Sequence, residues 1–113
     1  MALTFTKLFN PQQLPNVVGT IYTCPANPPS TVLKNGRVRL SNTTGGAVTA
    51  TLYAVPNAGT ASDANAFMKA QSIPANSFVD VDVPSLGQGD TLQGLAGAAT
   101  SITIHELGGV LYS

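Results

Sequence analysis

Apolar and polar residues alternate along much of this chain. In residues 78–83 valine occupies every second position, and residues 47–55 and 101–106 alternate in a similar way. Because successive side chains of a β-strand point to opposite faces, this pattern predicts strands with one face in a core and one in solvent. One-sided exposure of this kind is typical of antiparallel sheets. We predict strands at 17–23, 31–42, 47–55, 70–73, 77–83, 91–95, 101–106 and 110–112.

Short clusters of proline, glycine and asparagine separate these runs. Proline fixes its own φ, glycine permits positive φ and asparagine tolerates the left-handed region, so each cluster predicts a turn. Many short strands at this spacing predict an all-β fold, an antiparallel β-sandwich that is jelly-roll-like and has about eight short strands. The clusters occur at 25–29, 42–46, 56–59, 74–76, 87–90 and 108–109.

Two segments allow more than one interpretation. Asn35 and Gly36 form a strong hairpin signal inside the run 31–42, and they fit either a hairpin tip or a bulge in one long strand. We predict the bulge, because few residues precede the pair. Residues 62–69 could begin a short helix with Ser62 as its N-cap. We predict a loop there, with at most one turn of helix.

The first sixteen residues differ from the rest of the chain, so we divide it into 1–16 and a β-sandwich domain at 17–113. In one interpretation the segment is a first strand followed by a coil that covers an open end of the sandwich. In the other it is an extended arm that docks on a neighbouring molecule by adding a strand to its sheet edge. The candidate interface residues of such an arm are its bulky apolar side chains, Leu3, Phe5, Leu8, Phe9 and Leu14.

Charged residues are scarce. They make up 9% of the 113 residues, against about 25% in ordinary soluble domains. Uncharged polar and small side chains must therefore cover the surface, which is tolerable where neighbouring molecules hide much of it. The formal net charge is zero, and the nearest approach to a cationic stripe is Lys34, Arg37 and Arg39. This charge balance argues against a nucleic-acid partner.

Few residues could support catalysis. His105 is the only histidine, and the adjacent Glu106 points to the opposite face of the predicted strand, so it cannot orient the imidazole. Asp80 and Asp82 lie on one strand face roughly 7 Å apart. They could form a carboxylate pair or hold Ca²⁺, but they lack the loop spacing of a calcium site. An acidic strand face opposite Lys or Arg explains them more simply. We predict no enzyme, no metal site and no cofactor.

The start of the chain and its cysteine content bear on location. Residues 1–7 lack the charged and then apolar order of a signal peptide, and no apolar run approaches the ~18 residues of a membrane span. Cys24 is the only cysteine, so it cannot form an internal disulfide. These features predict assembly in a reducing cytoplasm without a membrane partner.

Six segments of strand and turn residues follow one another in a recognisable order: GTIYTCP at 19–25, VRLSNTT at 38–44, VTATLYAVP at 48–56, DANA at 63–66, IPAN at 73–76 and GQGDTLQ at 87–93. In this order they resemble small structural proteins of tailed bacteriophages, and the similarity spans roughly residues 17–106. The resemblance implies a virion component with a β-sandwich body, used for capsid decoration (as a cement protein) or attached to a tail or baseplate, and it implies no catalytic residues.

The predicted function is therefore structural. We expect a capsid decoration (cement) protein located in the virion and assembled in the host cytoplasm, which stabilises the shell by many surface contacts. Its partners would be copies of itself, as a trimer by the phage resemblance, and the major capsid protein or another virion protein. Two alternatives remain open. One is a receptor- or glycan-binding module of a tail fibre or baseplate that uses Tyr53, Asp63 and Asn65. The other is a hydrolase that uses His105 with Asp80 or Asp82.

Overall fold

The computed structural model describes residues 3–4, 7–26 and 31–112. This part of the chain contains β-strands and turns and no helix. No helix in it could therefore cross a membrane. The nine strands are β1 Leu3–Thr4, β2 Gln12–Gln13, β3 Gly19–Thr23, β4 Val32–Asn42, β5 Val48–Val55, β6 Ala66–Ile73, β7 Phe78–Val83, β8 Thr91–Ala96 and β9 Ile102–Tyr112.

The strands form two antiparallel sheets. In sheet A, β1 and β2 both pair with β9, which is followed by β4 and β7; in sheet B the order is β3, β8, β5, β6. Among these nine strands, only β5 and β6 are consecutive in the chain and also pair with each other. Six of the eight connections lead from one sheet to the other. Because β1 and β2 both lie beside β9, the nine strands occupy eight positions, four in each sheet. With these connections between the sheets, the arrangement is a jelly roll. The predicted all-β sandwich of about eight strands is confirmed.

The core lies between the sheets, and strands such as β8 contribute every second residue to it. Leu40 and Ile104 on sheet A and Leu52 on sheet B are fully buried. Gly94 of β8 leaves the space that this packing needs, because a Cβ there would lie 2.8 Å from the Leu52 Cδ2 atom. The alternation in the sequence thus reports which side of each strand faces the other sheet.

The predicted bulge at Asn35 and Gly36 is confirmed. Strand β4 is continuous, Asn35 has a φ of 58°, and the register with β9 shifts between Lys34 and Arg37. A second shift follows at once, where Leu107 of β9 is left between paired residues. Each strand therefore holds one extra residue, and the two irregularities cancel in the register beyond them.

The predicted turn at Gly108 and Gly109 is wrong, because β9 runs through both glycines to Tyr112. The predicted strands 101–106 and 110–112 are therefore one strand. Gly109 serves close packing, since a Cβ there would lie 3.0 Å from Leu8 Cδ1 and 3.1 Å from Leu33 Cδ1. Pairing with the long β4 keeps the strand extended at a position where glycine alone favours a turn.

The loop predicted at 62–69 is also wrong in its second half. A turn covers 63–65, and β6 begins at Ala66. The Asn65 side chain fixes the turn: its oxygen accepts the Ser62 N–H at 3.0 Å, and its amide donates to the Thr60 carbonyl at 2.9 Å. Residues after the turn then pair with β5, where Met68 lies opposite Leu52. Tertiary pairing decides this element, because its local sequence does not alternate regularly.

Two polar side chains fasten the loops at the ends of the sandwich. Asn42 is buried, and its amide donates to the carbonyls of Gly46 at 2.8 Å and Ile73 at 2.9 Å. At the other end the Asp90 carboxylate accepts backbone N–H groups of Asn57 at 2.9 Å and Gly87 at 2.8 Å. Both residues satisfy backbone groups that the turns would otherwise leave unpaired.

The described part of the N-terminal segment packs on its own domain. Strands β1 and β2 continue the edge of sheet A beside β9. The chain then crosses between the sheets: the Leu14 N–H donates to the Ile102 carbonyl, and the Pro15 carbonyl accepts the Ala96 N–H, both at 2.8 Å. Leu14 is 1% exposed and belongs to the core. The segment around Leu14 is therefore fixed to both sheets, and only residues before it could separate from them.

We predict that Leu14→Ala lowers the free energy of unfolding by about 2–5 kcal/mol, because it removes buried methyl groups and leaves a cavity. The matched control is Leu107→Ala, since Leu107 is 43% exposed and should change that free energy by no more than about 0.5 kcal/mol. Urea unfolding of both variants tests this. Equal stability of the two would show that the crossing at Leu14 does not contribute to the core.

Candidate interaction surfaces

A ladder of three polar side chains crosses the outer face of sheet A. His105 of β9 lies opposite Arg39 of β4, which lies opposite Asp80 of β7. The Arg39 guanidinium donates to both Asp80 carboxylate oxygens, from Nε at 2.7 Å and from an Nη at 3.1 Å, and its carbon lies 4.1 Å from the centre of the Phe78 ring. This two-point contact holds the pKa of Asp80 below its ordinary value. The acidic face predicted to lie opposite basic residues is confirmed here.

Asp82 is held much more loosely than Asp80. The Nε atom of Arg37 lies 3.7 Å from an Asp82 carboxylate oxygen, and an Nη atom of Arg37 lies 4.0 Å from Asp80. The Asp82 side chain is 92% exposed and that of Arg37 is 56% exposed. Exposed pairs at such distances stabilise a fold little. The two aspartates thus differ in role, because only Asp80 is fixed by a short contact.

The residues of the hydrolase alternative do not converge. Asp80 is bound to Arg39, and Glu106 lies opposite Val38 rather than beside the imidazole of His105. Within residues 3–4, 7–26 and 31–112, no three His, Cys, Asp or Glu side chains are grouped closely enough to hold a metal ion. The absence of enzyme activity itself remains a prediction.

The five predicted interface residues have different environments. Leu8 and Phe9 are partly buried against the core, and the Phe9 ring lies 6.2 Å from that of Tyr22. Leu14 is inside the core. The backbone of Leu3 pairs with Tyr112, while the Leu3 side chain and all of Phe5 lie outside the described residues. Their role at an interface remains a prediction, and in the single chain Leu14 is not accessible to a partner.

Cys24 is enclosed at the end of the sandwich. Its side chain is 0% exposed, and the Sγ atom lies 3.4 Å from the Leu86 carbonyl oxygen, to which it donates. Burial raises the pKa of this thiol. Burial also raises the pKa of the nearby Tyr22 to about 12, and the Cys24 charge adds to this effect. A neutral, enclosed thiol behaves as a small apolar side chain.

The outer face of sheet B has almost no charge. Its four strands contain one charged residue, Lys69, which lies on the edge strand β6 and pairs with Asp63 at 2.8 Å. The strands of sheet A, in contrast, hold six of the ten charged residues of the chain. The outward positions near the centre of sheet B are occupied by Thr49, Thr51, Tyr53, Thr91, Gln93 and Leu95.

Comparisons with known proteins identify a fold but no family. No known protein family and no curated protein matches the sequence. Among solved structures, the chain is similar to one from Bacillus endospore appendages, described as a novel family of disulfide-linked pili. The TM-score is 0.54 and the identity 12%, over 96% of this chain and 85% of that chain.

A second similar structure is VP2 of infectious bursal disease virus, taken from a subviral particle. The TM-score is 0.47 and the identity 12%, and the match covers 97% of this chain but only 31% of VP2. At such identity only the appendage likeness supports an argument, and it supports the fold alone. The resemblance to tailed-phage proteins therefore remains a prediction.

Sequence reasoning missed the neutral face of sheet B as a surface. The sequence signal is that residues 49–53 and 91–95 alternate without containing a charged residue. The two segments form one neutral surface only because their strands are neighbours in the same sheet. The proposed glycan residues are divided: Tyr53 is central on this face, Asp63 pairs with Lys69, and Asn65 fixes its own turn. Tyr53 lies opposite Ala66, the residue after Asn65, and a glycan site at these residues remains a prediction.

We predict that Arg39→Gln raises the pKa of Asp80 towards the ordinary aspartate value, because the largest cause of its depression is the Arg39 hydrogen bond. The pair stabilises the fold above the unfolded-state pKa of Asp80, and this contribution disappears as the pH falls through the lower folded-state value. Carboxyl ¹³C NMR titration measures the pKa of Asp80 in the folded wild-type protein and in the folded variant. In Arg37→Gln, the control, the shift should be smaller, and equal shifts would contradict this account.

We predict that Ellman's reagent labels Cys24 slowly in the folded protein and rapidly in denaturant, because the thiol is enclosed and its pKa is raised. Ser85→Cys provides the control, since position 85 is exposed and should add one fast-reacting thiol. Labelling of wild-type Cys24 at the same rate in both conditions would show that this end of the sandwich is open.

Proposed function

We propose that this protein is a non-enzymatic structural subunit that packs against copies of itself through the outer face of sheet B and attaches to a larger assembly. The observation that supports this most directly is the lack of charge on that face beyond the edge residue Lys69. The role we propose is capsid decoration, as a cement protein of a virion.

The physical reason is the cost of desolvation. Charged groups lose hydration when an interface forms, and interface centres are accordingly depleted of charge and enriched in aromatic residues such as tyrosine. Gln93 lies at the middle of the face, with Thr20 on one side and Tyr53 on the other. A second copy can cover the centre of this face without burying a charge or opposing two like charges.

The size of the face favours an assembly over a free dimer. Four strands ~4.8 Å apart, of about seven residues each, give roughly 400 Å² of flat area. An interface of this size falls in the class of weak contacts. Weak contacts become effective when they repeat over a lattice, because each bound copy raises the local concentration of the next.

The finer assignments depend on the resemblance to phage proteins and are part of the proposal. They are a trimer, attachment to the major capsid protein or another virion protein, and assembly in the host cytoplasm. The fold is compatible with such a role, since it is shared with a subunit of an endospore appendage.

We predict that the protein self-associates reversibly as its concentration rises and that Gln93→Lys returns it to the monomer. The new charge would have to be desolvated at the centre of the contact. Ser41→Lys is the matched control, because Ser41 lies between Thr103 and Phe78 on the outer face of sheet A. Sedimentation velocity up to about millimolar concentration, with thermal unfolding to verify the fold, measures this.

Two results would overturn the proposal that copies of the protein pack through the outer face of sheet B. One is a wild-type protein that remains a monomer throughout the concentration series; the other is an equal effect of the two lysine substitutions. The copy number in purified virions then tests the finer assignment. Hundreds of copies per particle support shell decoration, whereas a dozen or fewer indicate a tail position and contradict the cement role.

A further inference from the structure

The bulge in β4 places two cationic side chains on the same face of sheet A. In a regular strand, residues 34 and 37 would point to opposite faces. Leu33 and Val38 both face the core. Lys34 directly follows Leu33, and Arg37 directly precedes Val38, so both cations point outward. The extra residue at Asn35 and Gly36 makes this possible, and bulges are common where a strand has to redirect a side chain.

The two cations line a surface cleft with a volume of about 560 Å³. This is within the range of roughly 300–1,000 Å³ found for small-molecule sites. The end of β7 and the residues after it form the opposite wall. The polar side chains that line the cleft are Lys34, Asn35, Arg37, Asp82 and Ser85.

These polar groups have hydrogen-bonding capacity that the fold does not use. In the described part of the chain, Lys34 makes no ion pair, and Arg37 makes only the two loose ones with Asp80 and Asp82. Asn35 and Ser85 are exposed and donate no side-chain hydrogen bond there. The cleft therefore presents two cations, an amide, a hydroxyl and the loosely held carboxylate of Asp82 to a ligand.

This mixture of groups restricts the chemistry of the ligand. Two cations favour an anion, but the 92% exposed carboxylate of Asp82 opposes a ligand that is anionic throughout, such as a polyphosphate. The few apolar lining residues offer little to the side chains of a peptide. A ligand that combines one carboxylate with several hydroxyl groups uses every polar group, because hydroxyls donate to a carboxylate and accept from an amide.

We propose that this cleft binds a carboxylate-bearing sugar, with Lys34 and Arg37 on the sugar carboxylate and Asp82, Asn35 and Ser85 on its hydroxyl groups. This proposal goes beyond the structural role and is independent of it, because the cleft lies on sheet A and the proposed packing face on sheet B. A subunit of an assembly would thus present an acidic-sugar site at its exposed surface.

The test is titration of the ¹⁵N-labelled protein with galacturonic acid, which carries one carboxylate, followed by NMR. The amide signals of Asn35, Gly36 and Ser85 should shift. The methyl ester of the same sugar should bind about a hundredfold more weakly, because the charge-assisted hydrogen bonds from both cations to the carboxylate are lost and each is worth about tenfold. Lys34→Gln and Arg37→Gln should each weaken binding by about tenfold, while Lys7→Gln, an exposed cation outside the cleft, should have no effect.

Several results would overturn the proposal. They are the absence of shifts at millimolar sugar, equal binding of the acid and its ester, or unchanged affinity in Lys34→Gln. Tighter binding of tripolyphosphate or of a glutamate-rich peptide would show a different anion site. The sugar acid, its ester, tripolyphosphate and the peptide are all titrated into the wild-type protein. These titrations therefore test the acidic-sugar site even if a variant is unstable.

Discussion

The structure depends on the burial of alternating apolar side chains between two sheets. Every strand that faces the core gives up one of its two sides to this contact, and the interior is closed by large aliphatic residues such as Leu40, Leu52 and Ile104. The burial of such side chains contributes about 1.5–3 kcal/mol each, far more than the exposed ion pairs of this protein. In the jelly-roll strand order most consecutive strands lie in opposite sheets, so most connections link the two halves of the core.

Because the core uses only one side of each strand, the two outer faces are free to differ. Sheet A carries most of the charges, and some of them form ion pairs, such as Arg39 with Asp80. Sheet B carries threonine, glutamine and tyrosine with a single lysine at its edge. This separation gives the molecule one face that remains hydrated at little cost and one that can be covered at little cost. The proposed assembly role uses the second face, and the proposed sugar site uses the first.

Local irregularities adapt this frame without disturbing it. The bulges around Asn35 and Leu107 cancel in register, so the long ladder between β4 and β9 continues past them. The bulge at Asn35 brings Lys34 and Arg37 to the same side of β4. At the N-terminus, Leu14 fills the space beside Gly94, whose missing side chain allows the chain to cross from one sheet to the other. The proposed sugar cleft therefore lies at a departure from regular pairing, whereas the proposed packing face is centred on the regularly paired strands β5 and β8.

The sequence by itself determined the fold class, most strands and the bulge at Asn35, because side-chain alternation and turn residues act locally. It also indicated that Asp80 would lie opposite a basic residue. Only the tertiary structure decided the rest. It kept β9 extended through Gly109, began β6 at Ala66, and gathered a neutral face and a polar cleft from separate strands. The physical reason is that these features depend on which strands become neighbours, and that choice is made by long-range burial that no single segment encodes.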